Sequence, residues 1–191
     1  MQSVAWALER LNVAVAVTRD PQEVARARGV VLPGVGHYAA AADELARTGM
    51  DEAIWSRVGV VPVLGICLGL QLLFESSEEG GRGLGVLPGT VERLDVGSAP
   101  LPHMGWNQVQ PTAAAGLLAE VGAGEAYFCH AFAVRPRDGL LASAVTEYQR
   151  PFVSAVQKGL VAGVQFHPER SGAYGRRVLE AFSRQVARCS R

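Results

Sequence analysis

The sequence predicts an α/β fold: a doubly wound, mostly parallel central sheet with added antiparallel strands. Three observations carry this. Apolar runs of strand length at 30–32 and 60–66 alternate with helical patterns over the first eighty residues, which implies parallel strands covered on both faces. Both runs lead into glycine-bearing junctions that turn at once toward a helix, Pro33-Gly34-Val35-Gly36 and Gly65-Ile66-Cys67-Leu68-Gly69. After Gly80 the pattern becomes short strands separated by turn residues: GTVERL, WNQVQP, AYFCHAFAV, LASAVTEY, FVSAVQ and VAGVQF. These read as antiparallel pairs joined to the sheet.

The elements follow in order. Residues 2 to 11 place Val4, Leu8 and Leu11 at helical spacing, and Asn12 breaks the pattern. VAVAV (13–17) reads as a buried strand closed by Asp20-Pro21. A short helix over 22–28 ends at Gly29 before the strand VVL (30–32). The turn at 33–36 precedes a helix over 38–48. VVPVLGI (60–66) is an apolar strand that runs without a spacer into a helix over CLGLQLLFESSEE (67–79). A last helix starts near Ser171-Gly172 and runs to about Ala187. No repeat, low-complexity tract or long linker divides the chain, so residues 1–191 are expected to form a single domain.

Composition narrows the functional classes. Lys+Arg and Asp+Glu both number 18, so the chain offers no net basic surface for nucleic acid. The arginines of the last helix, including Arg176, Arg177, Arg184 and Arg188, read as a solvated face. The three cysteines, Cys67, Cys129 and Cys189, are odd in number and widely spaced, which suggests neither a disulfide framework nor a zinc site. Free thiols fit a reducing cytoplasm. The start carries no signal-peptide pattern, and no apolar run approaches the ~20 residues that span a bilayer.

The chemistry concentrates at Cys67. Gly65-Ile66-Cys67-Leu68-Gly69 has the form of a nucleophile elbow, a strained strand-to-helix turn with the reactive side chain at its tip. Glycines two before and two after allow close backbone approach. The turn sets the sulfur at the C-terminal edge of the sheet, and the following helix points N–H groups at it, which favours thiolate. A thiolate nucleophile needs a base that also protonates the leaving group. His167 follows an apolar strand in VQFHPE, and Pro168 biases it toward an extended backbone. Glu169, two residues on, can then share a side with His167 and orient its imidazole. His130, in the apolar run YFCHAF, is the rival base, but with no carboxylate nearby it reads better as a core or site-wall histidine. The oxyanion needs donors, and the Gly34–Gly36 turn and the Leu68 N–H are the natural ones.

Together, PGVG at 33–36, GICLGLQ at 65–71 and QFHPE at 165–169 resemble the class I glutamine amidotransferases over nearly the whole chain. The resemblance implies that Cys67, His167 and Glu169 form a catalytic triad. It implies that Gln71 helps bind L-glutamine and that Gly34, Gly36 and Leu68 supply substrate and oxyanion contacts. CLGLQLLFESSEEG, PHMGWNQV at 102–109, YFCHAFAV at 127–134 and QFHPERSG at 165–172 are similar to the glutaminase subunits of imidazole glycerol phosphate synthases. In those proteins the third segment is closer to Y-F-V-H-S-Y, so Ala131 and Phe132 stand where a Ser-Tyr pair is usual beside the substrate. Arg170 stands where Lys is usual, which keeps the charge but not the geometry.

The resemblance further implies a heterodimer with a (β/α)8-barrel cyclase. Pro102, Met104, Gly105, Trp106, Asn107 and Arg170 would face that partner, and no metal or cofactor is implied. Anthranilate and pyridoxal phosphate synthesis are the competing amidotransferase settings, and Met104-Gly105-Trp106-Asn107 argues against both. A non-catalytic subunit of the same fold is the competing class, and Cys67, His167 and Glu169 argue against it. Members of the family open with an apolar strand and a turn resembling D-Y-G-x-G-N. Here Gln2 to Leu8 aligns with the helix that follows that turn, so the first strand is expected to be missing. A start site recorded about 10–15 residues too late, one strand plus a turn, is the expected cause.

Overall fold

The computed structural model describes residues 2–112 and 116–189; residues 1, 113–115, 190 and 191 of the expected 1–191 domain lie outside the described residues. The first helix is α1 (Gln2–Glu9), with Val4, Ala5 and Leu8 buried. Asp20 caps α2 (Pro21–Arg26) by accepting the Gln22 N–H at 2.9 Å. Then come β1 (Val30–Gly34), α3 (Tyr38–Thr48), α4 (Met50–Trp55), β2 (Val63–Cys67) and α5 (Leu68–Leu72). The later part holds β3 (Ser76–Ser77), β4 (Gly89–Arg93), β5 (His103–Pro111), β6 (Gly124–His130), β7 (Phe132–Pro136), β8 (Ala142–Tyr148), β9 (Arg150–Lys158), β10 (Val161–Val164) and α6 (Gly172–Cys189).

Seven strands form one sheet in the order β1-β2-β10-β9-β8-β5-β6. The half that carries Cys67, β1-β2-β10, is parallel. The remaining joins are antiparallel. The expected parallel core with antiparallel additions is present, and the antiparallel share is larger than anticipated. A small sheet, β3-β4-β7, stands beside it. Helices cover both faces. One apolar cluster joins α1 and α6, through Leu8, Val178 and Phe182, to Leu64 and Ile66 of β2. The other joins Val24, Tyr38, Ile54 and Leu70 to Val63 and Val161. Neighbours Val63 and Leu64 point to opposite faces, as the period of a strand requires. Among the described residues, no helix is long and apolar enough to cross a membrane.

Several expectations are corrected. Residues 13–17 form no strand, because no described strand pairs with them; Val13 and Val15 pack partly against the core all the same. The helix after Cys67 stops at Leu72 instead of reaching Glu79. Carbonyls at its end are taken by the following loop, Leu84 N–H to Leu72 O at 2.8 Å and Leu87 N–H to Leu73 O at 2.9 Å, and Ser76–Ser77 joins the small sheet. AYFCHAFAV breaks at Ala131, so β6 belongs to the large sheet and β7 to the small one. VAGVQF is not merely an antiparallel addition, since β10 also lies parallel beside β2. Helix α4 was not anticipated; Gly49, at φ +70°, ends α3 in the left-handed region and starts it.

Candidate active site

Cys67 is the last residue of β2 and the cap of α5, at φ +53° and ψ −112°. A non-glycine residue with positive φ stores strain that its surroundings must hold. The glycines around it explain how. A Cβ on Gly69 would lie 1.7 Å from the Leu32 carbonyl oxygen, and one on Gly65 would lie 2.7 Å from the Gly69 oxygen and Leu70 backbone. Only glycine lets β1, β2 and α5 approach this closely. Gly34 is the register partner of Cys67, and a Cβ on it would lie 3.0 Å from Leu68 Cβ and 3.1 Å from the Gly69 nitrogen. Gly36 has φ +105° beside the 81% exposed Val35, so the turn after β1 opens to solvent.

The parallel pairing of β10 with β2 brings the second group to the same edge. Val164 pairs with Ile66, which sets Gln165 level with Cys67 and His167 just beyond. The His167 N–H donates to Tyr127 O at 2.9 Å. Ser171 Oγ donates to His167 O at 2.7 Å and accepts the Tyr127 N–H at 2.9 Å. His167 is extended, and a 3₁₀ turn over Pro168–Arg170 carries Glu169 back to it. His167 Nδ1 lies 3.0 Å from Glu169 Oε1. Burial alone would lower the His167 pKa; hydrogen bonds to Cys67 and Glu169, and the charges of both, outweigh it and hold it up at about 10. The imidazole is therefore poised to keep a proton beside the Cys67 sulfur.

Gln165 and Gln71, both buried, complete this centre. Gln165 Nε2 donates to Cys67 Sγ at 3.7 Å, and Gln71 Nε2 donates to Gln165 Oε1 at 3.1 Å and to Phe132 O at 2.9 Å. The side-chain nitrogen of Gln71 is thus engaged by the protein, at the Ala131–Phe132 break. Leu68, also buried, follows the thiol directly. Gln165 was missed in the sequence; its place two residues before His167, on the same side of an extended run, is the signal that could have found it.

The residues expected to face a partner lie on the outer side of β5. Met104 and Trp106 are exposed, at 61% and 57%, and Pro102 precedes them in an exposed turn. Gly105, at φ +139°, separates the two. Asn107 turns the other way and donates to Glu147 O at 2.8 Å. Arg170 lies over the Tyr127 ring at 4.1 Å, and Tyr127 meets Trp106 edge-on at 6.2 Å. Tyr127 was not singled out in the sequence because its alternation looks like any strand aromatic. Within this cluster Arg170 directly follows Glu169 in the chain, so the exposed face and the buried centre adjoin at the turn over Pro168–Arg170.

Fold and geometry define an α/β protein with a thiol, an imidazole and a carboxylate at the C-terminal edge of its parallel strands. The family model described as glutamine amidotransferase class-I matches residues 1–186, and the chain belongs to that family. It is 47% identical over 188 residues to the imidazole glycerol phosphate synthase subunit HisH of Moorella thermoacetica, covering 96% of this chain and 89% of that one. It is 42% identical over 188 residues to the chloroplastic imidazole glycerol phosphate synthase hisHF of Arabidopsis thaliana, covering 95% of this chain and 32% of that longer protein. A crystal structure of a glutamine amidotransferase superposes with TM-score 0.77 at 20% identity, covering 97% of this chain and 93% of that one. The glutaminase domain of Trypanosoma brucei CTPS with bound acivicin superposes with TM-score 0.69 at 19% identity, covering 97% and 87%.

Proposed function

We propose that this chain is the glutaminase subunit of an imidazole glycerol phosphate synthase. It hydrolyses L-glutamine to glutamate and ammonia and acts in histidine biosynthesis beside a partner subunit. The whole of residues 1–191 serves as one amidotransferase domain, working in the cytoplasm. The observation that carries the reading is the convergence of Cys67, His167 and Glu169 from β2 and the segment after β10, in a chain 40 to 47% identical to named subunits of that synthase. The competing settings, anthranilate and pyridoxal phosphate synthesis, appear in none of those names, and an inactive subunit would not need the strained Cys67.

The geometry supports the following chemistry. Cys67 Sγ attacks the carboxamide carbon of glutamine, and the Leu68 N–H with the Gly34–Gly36 turn stabilises the oxyanion. His167 holds the thiol's proton and delivers it to the leaving ammonia, while Glu169 fixes the imidazole's orientation. Water, deprotonated by His167, then cleaves the γ-glutamyl thioester, releasing glutamate and the thiol. Gln71 and the Ala131–Phe132 backbone shape the wall around the substrate. The partner is a (β/α)8-barrel cyclase docked on Pro102, Met104, Gly105, Trp106, Asn107 and Arg170. It takes the ammonia and makes imidazole glycerol phosphate and an aminoimidazole carboxamide ribotide. The test is glutamine hydrolysis with and without the cyclase and its nucleotide ligand. Hydrolysis rises when both are present; a rate indifferent to them overturns the reading.

A further inference from the structure

The inner side of β5 carries a second feature. His103 and His130 are register partners on β5 and β6, both buried in an otherwise aromatic core. His130 Nδ1 lies 2.8 Å from Phe132 O, His130 Nε2 lies 3.2 Å from His103 Nδ1, and His103 Nε2 lies 3.3 Å from Asn107 Nδ2. The roles along this chain follow from its ends. A carbonyl can only accept, so His130 Nδ1 carries the hydrogen and its Nε2 accepts. His103 Nδ1 must then donate, and His103 Nε2 accepts from Asn107. Asn107 is fixed independently, since its Oδ1 accepts the Gln108 N–H at 2.8 Å and its Nδ2 donates to Glu147 O. Both ends give the same assignment, with two neutral imidazoles. Burial agrees, pushing His130 down to about 3 and lowering His103 as well.

The far end is the active centre. Phe132 O accepts from His130 with one lone pair and from Gln71 Nε2 with the other. Gln71 passes to Gln165, and Gln165 to Cys67 Sγ. The near end is the exposed face, since His103 and Asn107 flank Met104 and Trp106 on one strand. His103 cannot swing away, being stacked on Phe128 at 4.9 Å and on Tyr148 at 4.1 Å. Phenylalanine at these two positions would pack the same core with no polar group to satisfy. The imidazoles add a directional link from β5 to the thiol's own hydrogen-bond partners.

We propose that His103 and His130 are positioning residues. They hold the Phe132 carbonyl, and through Gln71 and Gln165 the Cys67 thiol, in register with the partner-facing strand β5. The proposal rests on the function proposed above, with Cys67 as glutaminase nucleophile and Met104–Trp106 as landing place for the cyclase. A partner pressing on Met104 and Trp106 moves the strand that anchors this chain, and the thiol's surroundings follow.

The test uses the complex with the cyclase and its nucleotide ligand. His103→Phe keeps the ring stacking and removes both nitrogens. His130→Asn keeps a donor for Phe132 O and severs the link to His103. His103→Asn retains a donor toward His130. In the first two, glutamine-dependent kcat falls roughly tenfold, the size of one buried hydrogen bond. Their KM for glutamine stays within about twofold, below the effect of such a bond, and ammonia-dependent synthesis is unchanged. His103→Asn recovers most of the loss. Wild-type kcat in His103→Phe overturns the proposal. So does a loss that His103→Asn leaves uncorrected and that a lowered melting temperature accompanies. A wild-type chain that ignores the cyclase overturns the proposed function instead. The link is then read in the isolated chain, from the rate at which an electrophilic glutamine analogue alkylates Cys67. That rate is slower in His103→Phe and His130→Asn if the proposal holds, and equal to wild type if it does not.

Discussion

His167 Nδ1 and Glu169 Oε1 are 3.0 Å apart, and each side chain is only 9% exposed. This pair and the neighbouring thiol hold the His167 pKa at about 10, against about 6.5 in an unfolded chain. A pKa raised by folding stabilises the fold fully below the unfolded value and loses that contribution as pH rises through the folded one. This component of stability is therefore complete below pH ~6.5 and gone above pH ~10. Glu169→Gln and Cys67→Ala each remove a cause of the rise, so the His167 titration midpoint drops in both. NMR titration of His167 measures it; an unchanged midpoint in Glu169→Gln refutes the coupling. Glutaminase kcat in Glu169→Gln falls by up to roughly 10⁴, the loss seen when a triad's orienting carboxylate is replaced by its amide.

Cys67→Ala removes the proposed nucleophile while the proposed cyclase partner keeps its own machinery. Glutamine-dependent synthesis by the complex is abolished, and synthesis from added ammonia continues at the wild-type rate. Assaying both nitrogen sources on one preparation decides the matter; loss of both would make Cys67 a structural residue.

Gly69→Ala puts a methyl 1.7 Å from the Leu32 carbonyl oxygen, where backbone faces backbone and no side chain can rotate away. The fold loses at least about 2 kcal/mol, at the upper end of overpacking effects. Urea denaturation reads this as a lower midpoint with the same m-value. A midpoint equal to wild type would mean that the elbow relaxes without cost.

Trp106→Ala deletes a large exposed aromatic that lies edge-on to Tyr127 beneath Arg170. At the centre of the proposed docking face such a residue is an anchor, so Kd for the proposed cyclase partner rises at least roughly 30-fold, the equivalent of about 2 kcal/mol. Calorimetric titration of the two subunits checks it. Affinity within twofold of wild type would move the interface elsewhere.

Ala131→Ser with Phe132→Tyr supplies the hydroxyls that the resembling subunits carry. In this structure Phe132 contributes its backbone carbonyl, which is bonded to Gln71 and His130. The KM for glutamine in the double variant therefore stays within about twofold of wild type, a change under 0.5 kcal/mol. Steady-state kinetics measures this; a fall of tenfold would show that the hydroxyls touch substrate.

Much of the centre was legible because its signals are local. Gly65-Ile66-Cys67-Leu68-Gly69 states a strained elbow through its own glycines. His167-Pro168-Glu169 pairs an imidazole with a carboxylate two positions on, although the 3₁₀ turn over Pro168–Arg170, and not an extended run, is what brings them together. Tyr127 and Gln165 were not legible, because their roles depend on which strand lies alongside. The sheet's balance was misjudged for the same reason: apolar runs such as VAGVQF carry no mark of their neighbour's direction.

By itself, then, the sequence pointed to the candidate thiol, imidazole and carboxylate and to the turn that strains Cys67, since each arises within a few residues and from side-chain chemistry. Only the tertiary structure decided how those groups meet. Pairing β10 in parallel with β2 puts His167 beside Cys67, 100 positions away in the chain numbering. Pairing β5 with β6 lines up His103 and His130 and ties β5 to Phe132. Hydrogen-bond ladders between strands form at long range and depend on the whole sheet's packing, which no short stretch of sequence encodes.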